Sequence, residues 1–185
     1  MALFRNVVVV GLCVAGVAAA PGSRGVLGEL RAMVKADQAL RVKGDSDPQG
    51  DETRLHRVLA LLAAGQIQGP EAQECAALIL QHSPVTLCGD RYQAISLDNY
   101  LLAHLLAKSA AEKGRRSARW LAAATLDRHR VFSGLPQKYG TQTVFDPTSN
   151  AMVIPPIEPA TTDAERAAWD VEPLATFLQR HAKKP

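Results

Sequence analysis

The stretch from Leu126 to Gln142 constrains the fold more than any other part of this chain. As far as Phe132 it follows a helical period, with Asp127 and Arg128 set among apolar residues. Gly134-Leu135-Pro136 then stops the helix, because glycine accepts the left-handed cap and proline cannot continue it. Gln137-Lys138-Tyr139-Gly140-Thr141-Gln142 follows as a loop rich in amide, phenol and hydroxyl groups. Upstream of the stop, apolar residues recur every three or four positions; downstream they do not. The chain is therefore expected to be mainly α: a bundle of about five helices, then a loop with a short β-hairpin, and one or two further short helices.

Periodicity predicts the first helix over Gly25 to Val42, with Val26, Leu30, Met33, Val34 and Leu40 on one stripe. A turn-rich loop, Gly44 to Gly50, precedes a second helix that starts near Asp51 and stops at Gly65. Gly69-Pro70 opens the third, with Ala72, Cys75, Ala76, Ile79 and Leu80 inward, and it ends at Gln81-His82-Ser83. Ser83 to Asp90 reads as a loop. A fourth helix is expected over about Arg91 to Lys113 and a fifth over about Arg115 to Ser133, the third to fifth packing up and down. Thr141 to Phe145 and Met152 to Ile154 read as two strands around Asp146-Pro147-Thr148-Ser149-Asn150. Thr162 with Glu165 forms a capping box, and Pro173 starts the last helix.

The N-terminus reads as an export signal over residues 1–20: Arg5 precedes an uncharged run from Val7 to Ala20, with cleavage expected after Ala19. The run is short for a membrane span, so no stable span is expected once the signal is removed. Leu12 before Cys13 is too large for a good lipid-attachment motif. An exported chain is expected in the periplasm or outside the cell, and removal of the signal leaves residues 21–185 as one helical domain. Lys and Arg total 21 against 18 Asp and Glu, a net charge of +3, which argues against a nucleic-acid partner. Cys75 and Cys88 are either bridged, as an oxidising compartment allows, or a buried helical thiol and an unrelated one.

Several polar residues break the amphipathic pattern. Asp37 lies on the apolar stripe of the first helix with Arg41 one turn on, as a structural ion pair or as a pocket carboxylate. Gln81 and His82 close the third helix, where the imidazole either caps its own helix or works as a base. Asp127 and Arg128 both lie near apolar positions of the fifth helix, and Asp37 is a candidate partner for the guanidinium. Gln137, Tyr139, Thr141 and Gln142 offer donors and acceptors on a loop, where sites usually lie. The five histidines lack zinc-site spacing, and no phosphate loop or nucleophile elbow is present, so no metal or cofactor is implied.

These residues carry a resemblance. Asp37-Gln38-Ala39-Leu40-Arg41, Gln81-His82, and the run from Asp127-Arg128 through Val131, Gly134, Pro136-Gln137 and Tyr139-Gly140-Thr141-Gln142 resemble the motifs of a bacterial domain family of unknown function. Gln93 and Pro156-Ile157-Glu158 match as well, and the likeness spans about Leu30 to Leu178. Two departures stand out: Gly65-Gln66-Ile67 replaces a Gly-Trp-Pro turn, and Ser83-Pro84 follows His82 where the family continues Ala-Asp. The resemblance implies a shared fold and residue set and brings no assigned activity. The expectation is a polar pocket between helices one, three and five, roofed by Gln137 to Gln142. Asp37, Arg41, Gln81, Arg128, Gln137, Tyr139, Thr141 and Gln142 would hold a small polar ligand or a peptide segment. The alternatives are a hydrolase with His82 as base and Asp127 or Asp37 orienting it, and a structural or interaction domain without a small-molecule site.

Overall fold

The structure is a computed structural model that describes residues 23–89 and 91–182. The expected signal segment, residues 1–20, lies outside them. Five helices form the main body: α1 (Ser23–Lys43), α2 (Pro48–Ala63), α3 (Pro70–Leu80), α4 (Leu97–Glu112) and α5 (Ala118–Phe132). Two antiparallel hairpins, β1 (Val85–Cys88) with β2 (Arg91–Ala94) and β3 (Val144–Asp146) with β4 (Ala151–Val153), and two short helices, α6 (Asp163–Ala168) and α7 (Leu174–Ala182), complete the fold. Among the described residues no helix is long and apolar enough to cross a membrane.

The middle helix is α3. Ala72, Cys75, Ala76, Ala77, Ile79 and Leu80 are all buried, so the helix is apolar over most of its circumference, as a helix surrounded by others must be. It packs against α1, α2, α4 and α5. Leu30, Val58, Leu61 and Leu80 fill the core, while Ala103 and Ala107 of α4 and Ala122 of α5 keep the neighbouring backbones close. His104 ties α4 to α5 through an Nδ1 contact of 2.8 Å with the Ala122 carbonyl. Burial outweighs that bond and holds the His104 pKa below its ordinary value, favouring the neutral ring.

Two expectations need correction, and one pair of alternatives is decided. Residues 85–94 form a hairpin where a loop and the start of helix four were expected. Gly89 at φ +64° begins a two-residue connection between Cys88 and Arg91, which the β-branched Val85 and Thr86 lead into. Helix four therefore starts at Leu97. The second helix starts at Pro48, because Asp47 accepts a hydrogen bond from the Gly50 N–H at 3.0 Å and proline suits the first helical position. Cys75 and Cys88 are both free thiols, the first buried in α3 and the second exposed at the end of β1, so the bridge that their spacing allows is not made.

Candidate functional site

Two buried carboxylates organise the polar interior, and they are separate. Asp37, 1% exposed on α1, takes His82 Nδ1 at 2.9 and 3.0 Å on its two oxygens, Gln38 Nε2 at 2.8 Å and Arg41 Nη2 at 3.3 Å. Arg41 reaches on to Asp51 at 2.7 Å, and Asp51 holds Arg54 at 2.7 Å. Burial pushes the Asp37 carboxyl up, but the hydrogen bond and charge of His82, with Gln38 and Arg41, outweigh it and hold the carboxyl below its ordinary value. The same balance, read from the cation, keeps Arg41 above its own: burial lowers it, and Asp51 and Asp37 more than restore it.

The second carboxylate, Asp127, is fully buried on α5 and faces the loop rather than His82. One oxygen accepts the N–H groups of Lys138 at 2.6 Å and Tyr139 at 2.9 Å; the other accepts Thr141 N–H at 3.0 Å and its hydroxyl at 2.9 Å. Gln137 is buried too. Its Nε2 donates to the carbonyls of Gln142 and Pro155, both at 3.1 Å, while its Oε1 accepts the Gln142 N–H at 2.7 Å. Its backbone bridges to the far segment, receiving Glu158 N–H and donating to Pro156, both at 2.8 Å. Tyr139 is buried against Ala123 and Val171, and its carbonyl accepts from the buried Arg166 of α6. Asp127, Gln137, Tyr139 and Thr141 thus shape the loop and do not line the cavity that His82 and Arg128 face.

The loop delivers Gln142. Its Nε2 is spent on the Ala124 carbonyl at 3.2 Å and the Thr141 hydroxyl at 3.1 Å, which turns Oε1 toward Arg128 Nε at 3.0 Å. Arg128 Nη1 donates to the Gln81 carbonyl at 2.6 Å. Gln81 therefore contributes through its backbone, and Arg128 pairs with an amide and a carbonyl where Asp37 was expected. Burial holds the Arg128 pKa below its ordinary value, and the charge of Arg41 adds to the effect.

His82, Arg41, Arg128 and Gln142 line one cavity of about 540 Å³. Asp51, Ser46, Ser83 and Tyr100 join them, and Pro84, Val85, Val131, Phe132, Val144 and Phe145 supply the apolar wall. Tyr100, buried against Phe132 with ring centroids 5.4 Å apart, and Asp51 are among the lining residues that periodicity did not single out for a site. Tyr100 reads as one more apolar position of its helix, and Asp51 as a helix start; only the tertiary fold brings them to Arg128 and Arg41. Ser83, which follows His82, is buried and donates to the Leu80 carbonyl at 2.6 Å. Among the described residues, no group of three His, Cys, Asp or Glu is placed to hold a metal ion.

No protein-family model, curated protein or solved structure matches this chain.

Proposed function

We propose that this is an exported bacterial protein whose cavity binds a small polar ligand. The observation that carries the reading is the arrival of Arg41 from α1, His82 from the end of α3, Arg128 from α5 and Gln142 from the following loop at one recess, with Asp37 buried behind Arg41 and His82. A cavity of about 540 Å³ with a mostly apolar wall and a few converging polar groups has the size and make-up of a small-molecule site. His82 and Arg128 are held in place by Asp37 and Gln142, so a ligand meets donors already oriented for it. A thermal-shift screen of the whole chain against a metabolite library tests this. The expected outcome is a set of stabilising compounds whose effect disappears in His82→Ala and Gln142→Ala but persists in Tyr139→Phe, a residue outside the cavity. A library that stabilises nothing contradicts the reading.

A second reading has its own support. Asp37 engages His82 Nδ1 through both oxygens, and His82 Nε2 has no protein partner among the described residues. An imidazole oriented in this way at a cavity wall is equipped to accept a proton from water attacking an ester or amide carbonyl. Hydrolysis of a panel of ester and amide substrates, abolished in His82→Gln, is the result this reading requires. No turnover above the buffer rate removes it and leaves the binding proposal standing.

A further inference from the structure

The charges around the cavity are unevenly matched. Arg41 is shared between Asp37 and Asp51, and Arg54 between Asp51 and Asp47. Arg128 forms no ion pair among the described residues; its contacts there are the Gln142 side-chain oxygen and the Gln81 carbonyl. Its Nη2 donates to no described protein group, and it is not one of the buried polar atoms left without a partner. A half-buried guanidinium facing only neutral acceptors is incompletely compensated, and Arg41 in the same cavity wall adds repulsion. The planar fork of arginine matches a carboxylate; Nε is committed to Gln142 and one Nη1 hydrogen to the Gln81 carbonyl, which leaves Nη2 and the second Nη1 hydrogen for a ligand. The same cavity has an apolar wall: Pro84, Val85, Val131, Phe132 and Val144.

Building on the binding reading above, we propose that the ligand is a small monocarboxylic acid, its carboxylate on Arg128 and its apolar body against Val131, Phe132 and Val144. A dianionic phosphate fits less well, since one unmatched cation asks for one negative charge and the Asp51 carboxylate in the same wall repels a second.

Calorimetric titration of the full chain at about pH 7, where carboxylic acids are ionised, with matched pairs tests this: octanoate against octanamide, and 4-phenylbutyrate against its amide. Octyl phosphate is the third arm. The carboxylates are expected to bind about tenfold or more tightly than their amides, with the difference lost in Arg128→Gln. Amides that bind as well as the acids overturn the carboxylate assignment and leave the pocket reading intact. No binding by any compound of the series overturns the carboxylate proposal, and the library screen decides the pocket reading separately. Octyl phosphate binding more tightly than octanoate overturns the carboxylate in favour of a phosphate. Should Arg128→Gln fail to fold, the Arg128 Nε–H resonance of the unaltered protein decides. It moves with octanoate and stays with octanamide if Arg128 reads the acid; equal movement with both overturns the proposal.

Discussion

Asp37 and Asp127 are equally withdrawn from water, yet the groups that compensate them differ in kind. Asp127 is surrounded by backbone N–H groups and one hydroxyl, so removing it orphans donors that have no other acceptor. Asp127→Ala is expected to cost about 3 kcal/mol or more in urea denaturation, with ligand binding lost only because the loop is no longer formed. Asp37 is compensated by side chains, two of which line the cavity. Asp37→Ala leaves Arg41 with Asp51 but strips His82 of its anchor, at a similar cost of about 3 kcal/mol. Asp37 also carries a pH dependence. A carboxyl whose pKa is lower in the folded chain than in the unfolded one adds stability that is full above the unfolded value and is lost as pH falls through the folded one. For Asp37 that loss begins below about pH 4, the ordinary aspartate value. The urea midpoint of the unaltered protein should therefore fall more steeply below about pH 4 than that of Asp37→Asn; equal slopes contradict the account.

At the scale of elements, the loop over residues 134–142 shows what the sequence makes legible and what it hides. Its start was readable: Gly134 at φ +74° and the Leu135 N–H to Arg130 carbonyl bond at 2.8 Å are the helix stop that Gly-Leu-Pro announces. Its purpose was not. Gln137 reads as a loop amide open to a ligand, but its side chain is buried between Gln142 and Pro155, and its backbone is bridged to Pro156 and Glu158, contacts about 20 residues away that no local pattern encodes. Gly140 sits at φ +68°, and a Cβ there would meet Ile157 Cδ1 at 2.7 Å and Arg166 Nη1 at 3.2 Å. Gly140→Ala is expected to destabilise the protein by about 1–2 kcal/mol for the left-handed backbone, before any shift of Ile157, and thermal unfolding measures it. The β1–β2 hairpin was missed for a different reason. Its Gly89-Asp90 connection is a recognised hairpin signal, but the strands flanking it span only four residues each, too few for their alternation to stand out from the loop before α4.

Across the whole molecule, α3 at the centre and the C-terminal segments at the margin share the work of positioning. Helix periodicity was enough to identify the mainly α body and to mark Asp37, Arg41, His82 and Arg128 as residues that do not belong on apolar faces. It was not enough to pair them. The expected Arg128–Asp37 contact gave way to Arg128–Gln142, because the loop returns over the end of α5 and presents an amide there. Arg130 with Glu158 at 3.1 Å and Arg166 with the Tyr139 carbonyl hold that return in place from outside. Since the cavity draws its wall from segments spread between residues 41 and 145, a bound ligand should stabilise the domain as a unit. At about 100 times its dissociation constant, the expected gain is about 2.7 kcal/mol in unfolding free energy.

The binding of a small molecule at this one recess is tested most directly by soaking crystals of the protein with a fragment library and locating the bound fragments by X-ray diffraction. The account predicts fragments within hydrogen-bonding distance of Arg128 or His82, with their apolar parts against Phe132 and Val144. Fragments that collect elsewhere while this cavity holds only water would contradict it.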